Sequence, residues 1–138
     1  MERPSVLDPF DIKSEQVTIL IVDDSVLGAQ LVQMHLERAG YQVQLAHTGS
    51  EALASVEANP PDLIILDVMM PGMDGFEVCK QLKNDPSTKA IRVIAMTGYP
   101  TPENVEKIVS LGAETCIEKP FSNQALLEAI GIRTERKT

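Results

Sequence analysis

The chain has 138 residues, enough for one domain with a continuous core and no need of disulfide staples or a structural metal. Its 12 basic and 20 acidic residues leave a net charge of −8, which argues against a surface that tracks nucleic-acid phosphates and so against direct DNA or RNA binding. Cys79 and Cys116 form no CxxC pattern, the apolar runs are too short to span a bilayer, and no basic-then-apolar segment opens the sequence, so a reducing cytoplasm without membrane attachment is the expected setting.

Residues 1–16 hold Pro4 and Pro9 among scattered charges and read as a weakly ordered N-terminal tail. From Val17 a rhythm sets in: short apolar runs at 17–23, 41–46, 62–66, 91–96 and 114–117 alternate with stretches of helical spacing. The first run, Ile19-Leu20-Ile21-Val22, ends on Asp23-Asp24 and leads into a helix expected from about Ser25 to Ala39, closed by Gly40. His35 lies in that helix and His47 near the next turn; neither has paired ligand spacing, and both read as structural or solvated. Thr48-Gly49-Ser50-Glu51 has the form of a capping box and starts a helix near 49.

The run Leu63-Ile64-Ile65-Leu66 ends on Asp67, at the edge of a dry core where an unpaired charge is costly. Met69, Met70 and Met73 follow around Pro71-Gly72 and read as loop packing rather than a soft metal site. Asp74-Gly75-Phe76-Glu77 repeats the capping-box form and starts a helix near 75. The fourth run ends on Thr97; Thr101-Pro102 then supplies a cap hydroxyl and a first-turn proline, with Val105, Ile108 and Val109 as the apolar face. The fifth run leads to Lys119-Pro120, and residues 132–138, carrying Arg133, Arg136 and Lys137, read as a C-terminal tail or the start of a linker after a domain at 17–131.

Apolar strands joined by helices predict an α/β fold: a three-layer, doubly wound (βα)5 domain whose five-stranded parallel sheet is covered on both faces. Functional groups in such sheets gather beyond the carboxyl ends of the strands. Asp23 and Asp24, Asp67, Thr97 and Lys119 all fall on that rim. Singly, each has an ordinary reading as a helix cap, a loop cap, a strand-end threonine or a solvated lysine. Together they fit one reaction, in which a carboxylate attacks a phosphoryl group while a divalent cation and fixed donors neutralise the equatorial oxygens.

With these residues in place, the chain resembles the receiver domain of bacterial two-component response regulators, of the chemotaxis-regulator kind. The resemblance spans about residues 17–131 and rests on Ile19-Leu20-Ile21-Val22-Asp23-Asp24-Ser25, Asp67-Val68-Met69-Met70-Pro71-Gly72-Met73-Asp74-Gly75, Met96-Thr97-Gly98 and Lys119-Pro120-Phe121. It implies the flavodoxin-like strand order 2-1-3-4-5. It implies that Asp67 accepts phosphate from a phosphohistidine on a sensor histidine kinase or phosphotransfer protein, with Mg2+ or Mn2+ held directly by Asp24, Asp67 and the Met69 carbonyl and through water by Asp23. Thr97, Gly98 and Lys119 would contact the phosphoryl group, the Lys119–Pro120 bond would be cis, and Gly72 and Gly75 would permit the tight turn beside the site. Phosphorylation would switch contacts with a downstream protein, in a monomer or a phosphorylation-linked homodimer.

Two departures from that family pattern bear on the output. The position three before the lysine, usually aromatic, is Cys116, so the usual threonine-to-ring relay gives way either to confined switching or to Tyr99 in place of the ring. Met69 and Tyr99 border the expected path of a hydrolytic water and neither is a general base, which predicts a persistent phosphoryl-aspartate. Three other functions compete. An aspartyl-phosphate phosphohydrolase needs an aspartate where Met69 stands, a flavin carrier needs an anion cradle where Asp23 and Asp24 would repel it, and a receiver-like interaction module that is never phosphorylated has no use for the full set of side chains.

Overall fold

The computed structural model describes residues 17–136; the stretch expected as an N-terminal tail lies outside them. Five strands alternate with five helices: β1 (Thr18–Val22), α1 (Val26–Arg38), β2 (Gln42–Ala46), α2 (Gly49–Ala58), β3 (Leu63–Asp67), α3 (Gly75–Asn84), β4 (Arg92–Thr97), α4 (Pro102–Ser110), β5 (Thr115–Glu118) and α5 (Asn123–Arg136). All strand pairs are parallel and the order is β2-β1-β3-β4-β5, as the resemblance implies.

The period-2 alternation of strand side chains divides the core into two layers. Leu20, Val22, Ile64, Leu66, Val93 and Ala95 point to the face covered by α2, α3 and α4, where Ala52, Val78, Leu82 and Ile108 meet them. Ile19, Ile21, Leu63, Ile65, Ile94 and Met96 point to the opposite face, against Ala29 and Leu36 of α1 and Leu126 of α5. Burying a leucine or isoleucine of this kind contributes about 1.5–3 kcal/mol, so the three central strands anchor the domain. Coverage of both faces holds for β1, β3 and β4 only. In β2 the single buried residue is Ala46, and β5 is half-buried or exposed along its length, because each edge strand has a neighbour on one side alone.

Local polar chemistry sets the helix starts. Ser25, Thr48, Asp74 and Thr101 each accept a hydrogen bond from the backbone N–H three residues on. The two expected capping boxes are only half formed in the strict sense. The Glu51 carboxylate accepts from the N–H of His47, one residue before the cap, and Glu77 accepts from Gln81 along its own helix. Gly72 turns with φ 74°, in the left-handed region that a loop of this tightness needs. Gly75 serves a different purpose: a Cβ there would lie 2.5 Å from the Asp67 carbonyl oxygen and 2.7 Å from Val68 Cα, so its bare backbone lets α3 start against the end of β3.

At the rim opposite the strand carboxyl ends, Arg92 makes a paired contact with Glu114, at 2.7 and 2.9 Å, and donates to the Ile130 carbonyl of α5 at 2.9 Å. From Ile132 the chain continues α5 as far as Arg136, so the expected tail or linker begins as helix.

Candidate functional site

Strand register builds the pocket. β1 and β3 pair with Val22 opposite Leu66, so the next residues, Asp23 and Asp67, stand side by side at the carboxyl rim of adjacent strands. Both are buried, at 1% and 4% exposure, whereas Asp24 is open to solvent. One carboxylate oxygen from each of Asp23, Asp24 and Asp67 lies within 4.8 Å of the others. Lys119, one residue past β5, reaches back with Nζ 3.1 Å from Asp23 Oδ2 and 3.3 Å from Asp67 Oδ2. The Lys119–Pro120 bond is cis, and the Lys119 N–H donates to the Thr97 carbonyl at 2.8 Å. The remaining Oδ1 atoms are held by backbone: Ser25 N–H donates to Asp23 and Met69 N–H to Asp67.

Burial pushes the Asp67 carboxyl up from 3.8 to about 6; the Lys119 ammonium pulls the other way, the Asp23 carboxylate raises it further, and the Met69 N–H lowers it. For Lys119, burial alone would favour the neutral amine, but Asp67 and Asp23 outweigh it and hold the ammonium above its ordinary pKa. Three carboxylates facing one ammonium still leave the pocket short of positive charge. All the donors are hard oxygens, and that donor set suits a divalent cation such as Mg2+.

Thr97 is fully buried at the end of β4, and its Oγ1 accepts from the N–H of Tyr99 at 3.0 Å. Gly98 lies between them. The Tyr99 carbonyl accepts from Asn104 Nδ2 and Thr101 N–H, while its side chain is 64% exposed. Cys116 is half-buried in β5 against the α2, α3 and α4 layer, and burial pushes its thiol up. Among the loop methionines, Met70 and Met73 pack on the core, but Met69 is 50% exposed: the turn after Asp67 directs it outward, contrary to its reading as packing.

The structure therefore gathers Asp23, Asp24, Asp67 and Lys119 in one set of contacts and places Thr97 at the end of the adjoining β4, with Gly98 and Tyr99 in the loop that follows and the Thr97 hydroxyl accepting from the Tyr99 N–H. Two features had no signal in residue spacing. The His47 ring contacts the Asp23 carbonyl at 3.0 Å from 24 positions away. Leu27, Leu31 and Met34 share one face of α1 and are exposed, where apolar residues at that spacing would ordinarily mark a buried face.

Comparison with known proteins agrees with this geometry. Residues 19–131 match the Response regulator receiver domain family. The chain is 42% identical over 122 residues to the alkaline phosphatase synthesis transcriptional regulatory protein PhoP of Bacillus subtilis, a match covering 85% of this chain and 49% of PhoP, so it spans about half the length of that relative. It is 35% identical over 113 residues to the polar-differentiation response regulator DivK of Brucella ovis, covering 82% of this chain and 92% of DivK. The crystal structure of the signal receiver domain of a DNA-binding response regulator from Colwellia psychrerythraea superposes with a TM-score of 0.80 at 39% identity, covering 86% of this chain and 98% of that one. With the strand order, the acidic pocket and the family match in agreement, the chain belongs to the response regulator receiver domains of two-component signalling.

Proposed function

We propose that Asp67 is the phosphoacceptor of this domain and that a phosphohistidine on a histidine kinase or phosphotransfer protein is its donor. The observation that carries this reading is the placement of Asp67: 4% exposed, 3.3 Å from the Lys119 ammonium and clustered with two further carboxylates. An Asp67 carboxylate oxygen attacks phosphorus in line, the new O–P bond forms as the P–N bond breaks, and the departing imidazole keeps the electron pair. Lys119 is within reach of a phosphoryl oxygen, where its charge counts for more as the transition state spreads negative charge outward. Asp24 and Asp67, with the Met69 carbonyl, would hold Mg2+ or Mn2+ directly and Asp23 would hold it through water; the ion neutralises phosphoryl charge when bound.

The Thr97 hydroxyl at the end of β4 and the N–H of the next residue, Gly98, are the remaining phosphoryl contacts in this reading. The Thr97 Oγ1 accepts from the Tyr99 N–H and keeps its own O–H to donate, so a phosphoryl contact there would link phosphorylation to the β4–α4 loop. The exposed α1 side chains support a protein donor. A groove of about 360 Å3 runs between α1 and α5, with Leu31, Val32, Phe121 and Leu126 along it and Asp23 and Lys119 at one end, so an apolar docking surface leads to the acceptor. The domain acts in this reading as a signalling phosphoacceptor that assists its own phosphorylation and dephosphorylation, not as a metabolic enzyme. Mg2+-dependent labelling by a small phosphodonor tests it: the wild type takes up label and Asp67→Asn takes up none. Equal labelling of the two proteins would reject Asp67 as the acceptor.

A further inference from the structure

Both backbone groups of Asp23 are tied to the β2–α2 junction. Its N–H donates to the Ala46 carbonyl at 3.1 Å, and its carbonyl faces His47 Nδ1 at 3.0 Å. A carbonyl oxygen only accepts, so Nδ1 carries the proton in this contact. In a parallel ladder with the register Val22 opposite Ala46, the next donor to the Asp23 carbonyl would be the N–H of Thr48. At that point the chain leaves the strand, Thr48 becomes the cap of α2, and the His47 imidazole takes the donor's place. The backbone that carries the ring is itself anchored, because the His47 main-chain N–H donates to Glu51 Oε1 at 2.8 Å and Glu51 belongs to the first turn of α2. Beyond Asp23 the loop has one further internal tie, the Ser25 N–H on Asp23 Oδ1, before α1 begins.

We infer that His47 is a positioning residue for the cation site, holding the β1–α1 loop so that Asp23 and Asp24 present their carboxylates to Asp67. This rests on the reading of the acidic cluster as a divalent-cation site. The argument is one of preorganisation: Asp24 is exposed and follows the last ladder bond, so its direction depends on how firmly the preceding peptide is held. Groups that orient metal ligands characteristically alter metal affinity when removed, while stability changes little at a half-exposed position.

The test is a Mg2+ titration followed by the backbone amide shifts of Asp24 and Met69 in wild type, His47→Leu, His47→Gln and His47→Asn. The asparagine amide nitrogen sits where Nδ1 does; the glutamine amide is one bond further out. His47→Leu and His47→Gln should weaken Mg2+ binding about tenfold, and His47→Asn should return it to within about twofold of wild type. A thermal melt of each metal-free variant checks folding, and His47→Gln decides the matter if His47→Leu is unfolded. Mg2+ affinity in His47→Gln equal to wild type, or His47→Asn as weak as His47→Gln, would overturn the inference. No Mg2+-dependent shift in wild type itself would instead remove the cation-site reading, and the role of His47 with it.

Discussion

At the acidic pocket all four carboxylate oxygens of Asp23 and Asp67 are already held, two by backbone N–H groups and two by Lys119. On the next two strands of the sheet, along the β4–α4 loop and β5, the groups are placed but not engaged in the same way: Thr97 Oγ1 faces Tyr99, the Tyr99 ring stands in solvent, and Cys116 is too small to fill the space of a ring. In the proposed reading the pocket is preorganised for phosphoryl transfer, whereas the loop reports it by rearranging. In that reading acceptance and output lie in regions that are bonded differently, and substitutions should separate them.

The largest effect is expected from Lys119→Met. It should slow labelling by a small phosphodonor about 100-fold, the usual order for removing one donor to a developing oxyanion. It should also tighten Mg2+ binding, because the ammonium occupies the carboxylates that the ion would use. Labelling rates and Mg2+ titrations measure both, and weaker Mg2+ binding in the variant would show that Lys119 organises the pocket more than it competes for it.

Next comes the pH dependence of metal-free stability. Asp67 binds its proton more tightly folded than unfolded, with a pKa raised from 3.8 to about 6, so the folded state holds more protons between those values and loses stability as pH rises through them. The loss is at most about 3 kcal/mol from this group. Asp67→Asn should flatten that slope in denaturant melts with EDTA, and added Mg2+ should restore the wild type at pH 7.5 by binding the folded state alone.

A several-fold effect is expected at the boundary of the two regions. Met69 and Tyr99 carry no base, so the phosphorylated wild type should hold its phosphate longer than Met69→Asn, whose amide can orient water. Phosphate lost faster from the wild type would reverse the assignment. The smallest signal belongs to the loop. In a Tyr41→Phe background, which leaves Tyr99 as the tyrosine reporter in a chain without tryptophan, beryllofluoride should change the ring's mobility if Tyr99 stands in for the missing aromatic. Equal mobility with and without the analogue would favour confined switching.

Much of this was legible in the sequence, for reasons that differ by residue. Apolar runs and cap residues are local signals, and β1, β3, α3 and α4 lie close to where Ile19–Val22, Leu63–Leu66, Asp74 and Thr101-Pro102 place them. Asp23, Asp24, Asp67 and Lys119 were legible as strand-end residues because parallel topology brings those ends to one rim. Direction was harder. Met69 and Met70 are adjacent and chemically identical, yet one is half exposed and the other buried, a difference set by the turn and not by composition. Gly75 and Gly72 look alike in the chain, but one permits a positive φ and the other a close approach. The His47 contact depends on where the β1–β2 ladder stops, which no spacing within the loop encodes.

The Arg92 tie to Glu114 and Ile130 has a mechanical consequence. It fastens the first residue of β4 to the segment entering β5 and to α5, at the rim farthest from Asp67. With that end fastened and β4 paired to both neighbours, any rearrangement that follows phosphorylation in the proposed reading is left to the opposite rim, beyond Thr97, where the ladder ends.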